Sequence, residues 1–338
     1  MKILVTGAAG YIASHTIVEL VHQGHTVIGI DNYSNSDLRM VRKTMEILGE
    51  DRISTGNYRF AYADLREMEW QRRSDYSEWF RDIDAIIHFA ALKAVGESVQ
   101  QSIRYYQNNV NSLTNLMLWA ANRNIKKFVF SSSAAVYGEF SSNQNHMYRE
   151  TDILRPNNPY GRTKLMCEQI LLDQSVMDVS ILRYFNPVGA HESGLIGDQS
   201  VNNIMPLICR AALNPDYTLK VYGKDYPTYD GTCVRDYIHV VDLAKAHILA
   251  LNKLCRSGGT QIYNLGNGEG TSVLELIDLF SVVTGRTPSY EFADRRAGDV
   301  PFLVADPSKF TSDTGWTPRL TPGEMCWSAL NYELSKKK

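Results

Sequence analysis

The chain has 338 residues, of which 44% are hydrophobic, and its formal net charge at pH 7 is -2. This length is sufficient for one large core and a smaller second lobe. The near-neutral charge argues against a nucleic-acid partner, and no apolar run approaches the roughly 20 residues that cross a bilayer, so we expect no membrane partner either.

The cysteines and the first residues bear on the cellular compartment. The five cysteines are scattered and contain no Cys-x-x-Cys spacing, so we expect neither a disulfide framework nor a metal site. The apolar run Ile3–Val5 begins two residues after Met1 and leaves no room for a charged leader. Both features predict a cytoplasmic protein.

Short apolar runs alternate with segments of helical periodicity through the first half of the chain, which predicts a parallel sheet covered on both faces. In chain order, the predicted strands are Lys2–Thr6, Thr26–Asp31, Tyr58–Ala61, Ala85–Phe89, Lys127–Ser132 and Val179–Tyr184. The predicted helices are Tyr11–Gln23, Asp37–Leu48, Ile103–Asn122 and Tyr160–Asp173. The expected fold class is α/β, a Rossmann-type doubly wound parallel sheet.

After Asn186-Pro187 the chain becomes richer in Pro, Gly and Asn. In this part the sequence predicts the strands Leu219–Tyr222 and Ser289–Phe292 and the helix Val273–Thr284. The segments Asp236–Leu251 and Gln261–Leu265 are predicted as a helix and a strand that return to the large sheet. We therefore expect a Rossmann domain over 1–185, with 236–270 returning to it, and a smaller, discontinuous C-terminal substrate-binding lobe from 186–235 and 271–338.

A glycine loop lies between the first predicted strand and the first predicted helix. Gly7 permits the tight turn, and Gly10 lets the backbone approach a pyrophosphate whose charge is then stabilised by the amide groups that begin the helix. Ala13 stands where the motif usually has a third glycine, and it is small enough to fit. Taken alone, the glycine pair also fits an ordinary strand-to-helix turn, but its position favours a dinucleotide site.

Asp31 identifies the expected dinucleotide. It ends the second predicted strand, about the usual distance after the glycine loop. Its carboxylate can accept hydrogen bonds from the ribose hydroxyls of NAD, and its charge would repel the additional phosphate of NADP. The sequence therefore predicts NAD as the cofactor.

Ser133, Tyr160 and Lys164 form a candidate catalytic group. Tyr160 and Lys164 lie one turn apart on a predicted helix, so the ammonium can stabilise a phenolate whose ordinary pKa of about 10 is too high for a base at neutral pH. Ser133 follows the fifth strand at the carboxyl edge of the sheet and can hydrogen-bond a reacting oxygen. Each residue also has an ordinary structural explanation, but the combination indicates alcohol redox chemistry.

Several further stretches carry a resemblance to a known family. They are Asp31-Asn32 with Asn35-Ser36, Asp64-Leu65, Phe89–Ser98, Ser131–Gly138, Arg183–Ala190, Val234–Val240 and Arg295–Asp299. With them, the chain resembles the UDP-glucose 4-epimerases of the extended short-chain dehydrogenase/reductase family. The resemblance runs from the first strand to about Leu303 or beyond.

The resemblance implies which residues bind the two ligands. Those around NAD would be Gly7, Gly10, Tyr11, Ile12, Asp31, Asn32, Asn35, Ser36, Asp64, Leu65, Phe89, Ala90, Lys93, Asn108, Tyr160, Lys164 and Tyr184. Those around the UDP-sugar would be Lys93, Ser133, Tyr160, Asn186, Asn203, Ile204, Lys220, Tyr222, Arg235, Arg296, Asp299 and Leu303. The planar guanidinium groups of the two arginines suit a diphosphate.

The implied activity is the interconversion of UDP-glucose and UDP-galactose through a 4-keto sugar, with a tightly bound NAD and no net redox change. Leu303 would lie near the substituent on sugar carbon 2, and its intermediate size leaves N-acetylated UDP-hexoses open as substrates. The family also implies a homodimer that packs Ile103–Asn122 and Tyr160–Asp173 into a four-helix bundle.

Three other activities are compatible with the same fold and make different demands on the sequence. A related dehydratase would need an acid and a base where this chain has Ala134-Ala135, and alanines cannot transfer protons. A UDP-glucuronate 4-epimerase or decarboxylase would need a cation for the sugar carboxylate, and none can be assigned from the sequence. A non-catalytic NAD-binding redox sensor would not need Ser133, Tyr160 and Lys164 together.

Overall fold

The computed structural model describes residues 1–67, 70, 78–139, 146–296 and 298–336. Its strands are β1 Lys2–Thr6, β2 Thr26–Asp31, β3 Tyr58–Tyr62, β4 Ala85–His88, β5 Lys127–Ser133, β6 Met147–Tyr148, β7 Asp178–Tyr184, β8 Asn186–Val188, β9 Leu219–Tyr222, β10 Val234–His239, β11 Thr260–Leu265, β12 Gly270–Ser272, β13 Tyr290–Ala293 and β14 Phe302–Ala305. Its α-helices are α1 Tyr11–His22, α2 Leu38–Leu48, α3 Glu50–Ser54, α4 Val95–Gln100, α5 Ser102–Asn122, α6 Pro159–Asp173, α7 Ile204–Leu213, α8 Val240–Ser257, α9 Val273–Thr284, α10 Ser308–Thr314 and α11 Pro322–Ser335.

Seven strands form the large sheet, in the order β11-β7-β5-β4-β1-β2-β3. The pairs β1–β2, β2–β3, β1–β4 and β4–β5 are parallel. Strand order reverses at β1, which has β2 on one side and β4 on the other. This reversal is the topological switch point of a doubly wound sheet, where ligands bind at the carboxyl ends of the strands. The predicted fold class is confirmed.

Burial explains why the central strands form. Ile3, Leu4 and Val5 of β1 are fully buried, and all four residues of β4 are buried. Both faces of these strands are covered, so their sequences are continuous apolar runs rather than alternating ones. Burying each such branched side chain contributes about 1.5 to 3 kcal/mol, an energy that fixes the sheet on which the site is assembled.

The backbone contacts divide the chain into two compact units. The first unit comprises Met1–Val136, Asn158–Arg183 and Ala244–Tyr263, and the second comprises Tyr137–Asn157, Tyr184–Leu243 and Asn264–Lys338. The predicted division differs in two respects. Residues 137–157 and 184–185 fall in the second unit, and the segment that returns to the first unit, Ala244–Tyr263, is shorter than the predicted 236–270.

The second unit has its own sheets and core. Strands β12, β10, β14 and β6 pair in that order, with β8 beside β10, and β13 pairs with β9. Helices α7, α9 and α11 supply apolar side chains to the core, including Ile208, Phe280 and Met325. Capping boxes begin α9 and α11, because in each case an N-cap hydroxyl and a Glu three residues later satisfy backbone amides reciprocally.

One predicted element was wrong over part of its length. Asp236–Leu251 was expected to be helical throughout, but the helix begins at Val240 and Val234–His239 is strand β10. This strand forms because it pairs with β8, β12 and β14, which lie far away in the sequence. The returning strand was confirmed, since β11 lies at the edge of the large sheet beside β7. Across the described residues, no helix is both long and apolar enough to cross a membrane.

Candidate active site

The glycine loop is a tight turn with little room for side chains. Gly7 has a φ of +68°, and a Cβ placed on it would lie 2.8 Å from the backbone nitrogen of Ala90. The amide of Gly10 donates to the carbonyl of Gly7 at 2.8 Å. Gly10 is also the N-cap residue of α1 and supplies no side-chain cap to the first turn. The amino end of α1 therefore presents backbone amides in the arrangement that binds a pyrophosphate.

Asp31 holds together the two loops that follow β1 and β2. Its carboxylate accepts from the amide of Ala9 at 3.0 Å, from the amide of Tyr33 at 2.8 Å and from the hydroxyl of Ser36 at 2.8 Å. Burial raises its pKa, and these hydrogen bonds act in the opposite direction. The backbone amide of Asn32 also hydrogen-bonds this carboxylate, so Asp31 is held in place by four neighbouring donors at the end of β2. These features fit NAD.

The loops after β2, β3 and β4 are joined by side-chain amides. Asn32 donates to Asp64 at 2.9 Å, and Asn35 donates to the carbonyl of Ala91 at 3.1 Å. Burial acts to raise the pKa of Asp64, but hydrogen bonds from Arg66 and Asn32 lower it to about 2. The structure therefore brings the predicted cofactor residues of these loops, Asn32, Asn35 and Asp64, close to the carboxyl ends of the strands.

The segment after β4 is held by Asn109, which the sequence analysis missed. The side chain of Asn109 accepts from the amide of Leu92 at 2.8 Å and donates to the carbonyl of Leu92 at 3.0 Å. It also donates to Thr163 on α6 at 2.9 Å and accepts from Asn108 at 3.0 Å. Lys93, the next residue, is exposed. The adjacent asparagines on α5 were a signal that could have indicated this clamp.

Tyr160 lies in the first turn of α6. Asn158 caps this helix by accepting from the amide of Gly161 at 2.9 Å, and Pro159 begins it. The ring of Tyr160 packs with Leu92 and Tyr105. Burial raises the pKa of Tyr160, and a hydrogen bond with the Ser133 hydroxyl lowers it. The hydroxyl groups of Ser133 and Tyr160 are therefore close enough to hydrogen-bond the same oxygen atom of a substrate.

Lys164 is buried one turn beyond Tyr160. Its ammonium donates to the carbonyl of Ser131 at 2.6 Å and lies 4.9 Å from the centre of the Phe130 ring. Burial lowers the pKa of Lys164 to about 8, while the neighbouring Cys167 and Glu168 act to raise it. The stabilisation of a Tyr160 phenolate by this ammonium stays a prediction.

The predicted UDP-sugar residues Arg235, Asp299 and Leu303 come together in the second unit. Arg235 on β10 is paired in register with Leu303 on β14. The guanidinium of Arg235 donates to the carbonyl of Val300 at 2.7 Å and lies 3.8 Å from the carboxylate of Asp299. One edge of the guanidinium is thus anchored to the backbone beside an acidic side chain.

A second group of predicted UDP-sugar residues lies where β9 pairs with β13. Lys220 and Tyr222 are on β9, and the guanidinium of Arg296 stacks on the Tyr222 ring at 4.3 Å. Asn203 is the N-cap residue of α7, Ile204 is its first residue, and Asn186 begins β8. Tyr184 ends β7 and is grouped with the second unit rather than with the other predicted NAD residues.

Comparison with known proteins gives consistent results. A family model described as the NAD dependent epimerase/dehydratase family matches residues 3–266. The chain is 46% identical to a UDP-glucose 4-epimerase of Bacillus subtilis, over 99% of this chain and 97% of the relative.

Two solved structures are also similar. The UDP-glucose 4-epimerase from Bifidobacterium longum, in complex with NAD+ and UDP, is 40% identical, with a TM-score of 0.91 and coverage of 100% of this chain and 99% of the other. The UDP-Glc/GlcNAc 4-epimerase from Campylobacter jejuni is 36% identical, with a TM-score of 0.80 and coverage of 99% of both chains. The resemblance noted in the sequence is confirmed, and the chain belongs to the NAD dependent epimerase/dehydratase family.

Proposed function

We propose that this chain interconverts UDP-glucose and UDP-galactose by 4-epimerisation, with a retained NAD as cofactor. The observation that carries the proposal is the close placement of Ser133 and Tyr160, with Lys164 one turn further along α6, in a unit that also holds the glycine loop and Asp31. The relative from Bacillus subtilis, named a UDP-glucose 4-epimerase, supports the same activity.

NAD would be held by the amides that begin α1 and by the carboxylate of Asp31, which a ribose hydroxyl would reach in place of one of its present donors. When bound, it supplies a group that takes hydride from carbon 4 of the sugar and can return it. Because hydride leaves and returns within one turnover, the reaction consumes no external oxidant. The protein should therefore be purified with its cofactor.

Tyr160 is proposed as the base. Its phenolate accepts the proton of the sugar 4-hydroxyl and later returns it to the oxygen of the 4-keto sugar. Ser133 donates a hydrogen bond to the same oxygen and holds it near Tyr160. The Lys164 ammonium favours the phenolate electrostatically and also offers a donor to a ribose hydroxyl.

The second unit supplies groups for the nucleotide diphosphate. Arg235 and Arg296 offer planar guanidinium groups for phosphate oxygens, and Asp299 can accept from a ribose hydroxyl. Inversion at carbon 4 requires that the keto sugar present its other face before hydride returns. Firm recognition of UDP with weak recognition of the hexose permits this rotation.

Incubating the purified protein with UDP-glucose, without added NAD, should yield UDP-galactose when the products are resolved by chromatography. Tyr160→Phe keeps the ring and should reduce turnover by at least about 10²-fold, the usual contribution of a positioned proton-transfer group. NAD content should be unchanged in this variant. Absence of conversion by wild-type protein that retains NAD would refute the proposed activity.

We also propose that the chain forms a homodimer through α5 and α6. Large apolar side chains are exposed on both helices, including Ile103 at 81% and Leu118 at 59% on α5 and Leu172 at 47% on α6. Exposed apolar surface of this kind favours association. Light scattering that finds only monomer at micromolar concentration would contradict the dimer. A cytoplasmic location is consistent with five cysteines that form no disulfide.

A further inference from the structure

A buried ion pair lies one turn beyond Lys164. Arg183 on β7 donates through Nη2 to Glu168 on α6 at 2.7 Å, and its Nε lies 3.1 and 3.2 Å from the two carboxylate oxygens. The Glu168 and Arg183 side chains are 1% and 2% exposed. The hydroxyl of Ser132 on β5 donates to the same carboxylate. The contacts with Arg183 and Ser132 together fill the roughly four acceptor positions of the Glu168 carboxylate.

The contacts also fix the register between α6 and β5. Tyr160, Lys164 and Glu168 are four residues apart and lie along one face of α6. Lys164 donates to the carbonyl of Ser131 at 2.6 Å, and Glu168 accepts from the side chain of Ser132. The next residue of the strand is Ser133, so the helix is attached to two successive residues immediately before the one that meets Tyr160.

A buried ion pair such as Glu168–Arg183 is weak evidence of a stabilising role. Removing two charges from water is costly, and apolar residues of similar volume often give an equally stable core. A bidentate arginine–carboxylate pair does, however, impose one geometry on the elements that it joins. Here the joined elements are β5, α6 and β7, and the first two carry Ser133, Tyr160 and Lys164.

We propose that Glu168, held by Arg183 and Ser132, is a positioning residue for the proposed epimerisation. It attaches α6 to β5 so that Tyr160 and Lys164 face Ser133 in the reactive geometry. The kinetic part of this inference rests on the proposed function, while the placement of Glu168 beside Lys164 can be tested without any turnover.

Glu168 also contributes charge to the surroundings of Lys164. From α6 itself, Cys167 and Glu168 act to raise the pKa of Lys164, against the larger effect of burial. From β4, His88 faces the ammonium, and burial together with Lys164 lowers the pKa of His88 to about 3, so it stays neutral. Arg183 on β7 is paired with Glu168. Burial raises the pKa of the Cys167 thiol to about 12, so of these two neighbours it is Glu168 that favours the protonated form of Lys164 near neutral pH.

The first experiment replaces the pair without leaving a charge unpaired. Glu168→Met combined with Arg183→Met should fold and retain NAD, with a KM for UDP-glucose close to that of the wild type. Its kcat should fall by about 10²-fold, the effect of a displacement of about 1 Å among reacting groups. A folded, NAD-containing double variant with the wild-type kcat would overturn the proposal.

A matched control is available in the same two strands. Lys127 and Asp178, the first residues of β5 and β7, form an ion pair of 2.7 Å at the opposite strand ends. Lys127→Met with Asp178→Asn also removes an ion pair between β5 and β7 but should leave kcat unchanged. An equal loss of kcat in this control would show that any ion pair between these strands has the same effect, which would also overturn the proposal.

The second experiment follows the proton on Lys164 directly. In protein labelled with 13Cε-lysine, the resonance that is missing from Lys164→Met identifies Lys164, and its shift is recorded against pH. Glu168→Gln should move this titration to lower pH by about one unit, since the adjacent negative charge is removed. Should Glu168→Gln not fold, the paired methionine variant replaces it; because this variant also removes the positive charge of Arg183, its shift to lower pH should be in the same direction but smaller.

The two proposals can fail separately. Wild-type protein that does not epimerise either UDP-hexose would refute the proposed function, and the titration of Lys164 would still decide whether Glu168 acts on it. An unchanged Lys164 titration in the variants, with epimerase activity present in the wild type, would refute the role of Glu168 alone.

Discussion

Gly7→Ala should destabilise the protein by two effects that a control variant separates. The first is the backbone conformation, since Gly7 has a φ of +68°, a region that costs an alanine about 1 to 2 kcal/mol. The second is contact with the loop after β4, because the new Cβ would lie 2.8 Å and 2.9 Å from the nitrogen and Cα of Ala90. These are backbone atoms, so the loop itself must move.

Gly24→Ala isolates the first effect. Gly24 has a φ of +84°, and no atom lies within 4 Å of a Cβ placed on it. Gly24→Ala should therefore lower the free energy of unfolding by only the roughly 1 to 2 kcal/mol of backbone strain. Gly7→Ala should lower it by about 2 to 5 kcal/mol, because overpacking adds about 1 to 3 kcal/mol.

Urea unfolding of the NAD-free variants measures both costs, and absorbance of the released cofactor measures NAD content. Gly7→Ala should lose most of its bound NAD, because the displaced Ala90 loop is predicted to contact the cofactor. Gly24→Ala should retain it. Equal losses of unfolding free energy in the two variants would refute the close approach of Gly7 to Ala90.

Three further predictions concern protons and specificity. Lys164→Ala should lower turnover at pH 7, and the turnover of this variant should rise again toward high pH, where the buried Tyr160 ionises without the lysine. A rate that does not change with pH would contradict this. Burial holds the pKa of His88 near 3, below its unfolded value of about 6.5, so the unfolding free energy should fall by up to about 1.4 kcal/mol per unit as pH drops between these values. His88→Asn should remove that slope in urea titrations. Leu303→Ser should raise turnover of UDP-N-acetylglucosamine relative to UDP-glucose about tenfold in a competition assay.

Local sequence patterns predicted the first unit better than the second. Strands β1 and β2 were predicted at their observed bounds, because buried parallel strands read as apolar runs bounded by turns. Strand β10 was taken for helix, since its pairing with β8, β12 and β14 depends on residues far along the chain. Helix α11 was missed although Thr321 and Glu324 form a recognisable capping box.

The site shows the same limit. The glycine loop, Asp31 and the Tyr160–Lys164 spacing are local signals and could be read from the sequence. The ion pair of Glu168 with Arg183 joins two elements and could not, although the spacing of four from Lys164 to Glu168 was visible. Tertiary contacts of this kind appear only when the chain is folded.

The position of β11 at the edge of the large sheet has a consequence for synthesis of the chain. During translation, β7 emerges well before β11, so its outer edge has no partner while the residues between Tyr184 and Thr260, most of them from the second unit, are made. That edge belongs to a strand whose Val179, Ile181 and Leu182 are fully buried in the finished protein. An unpaired apolar edge is a template for association with other chains. A fragment ending near residue 185 would leave this edge of β7 unpaired and should aggregate.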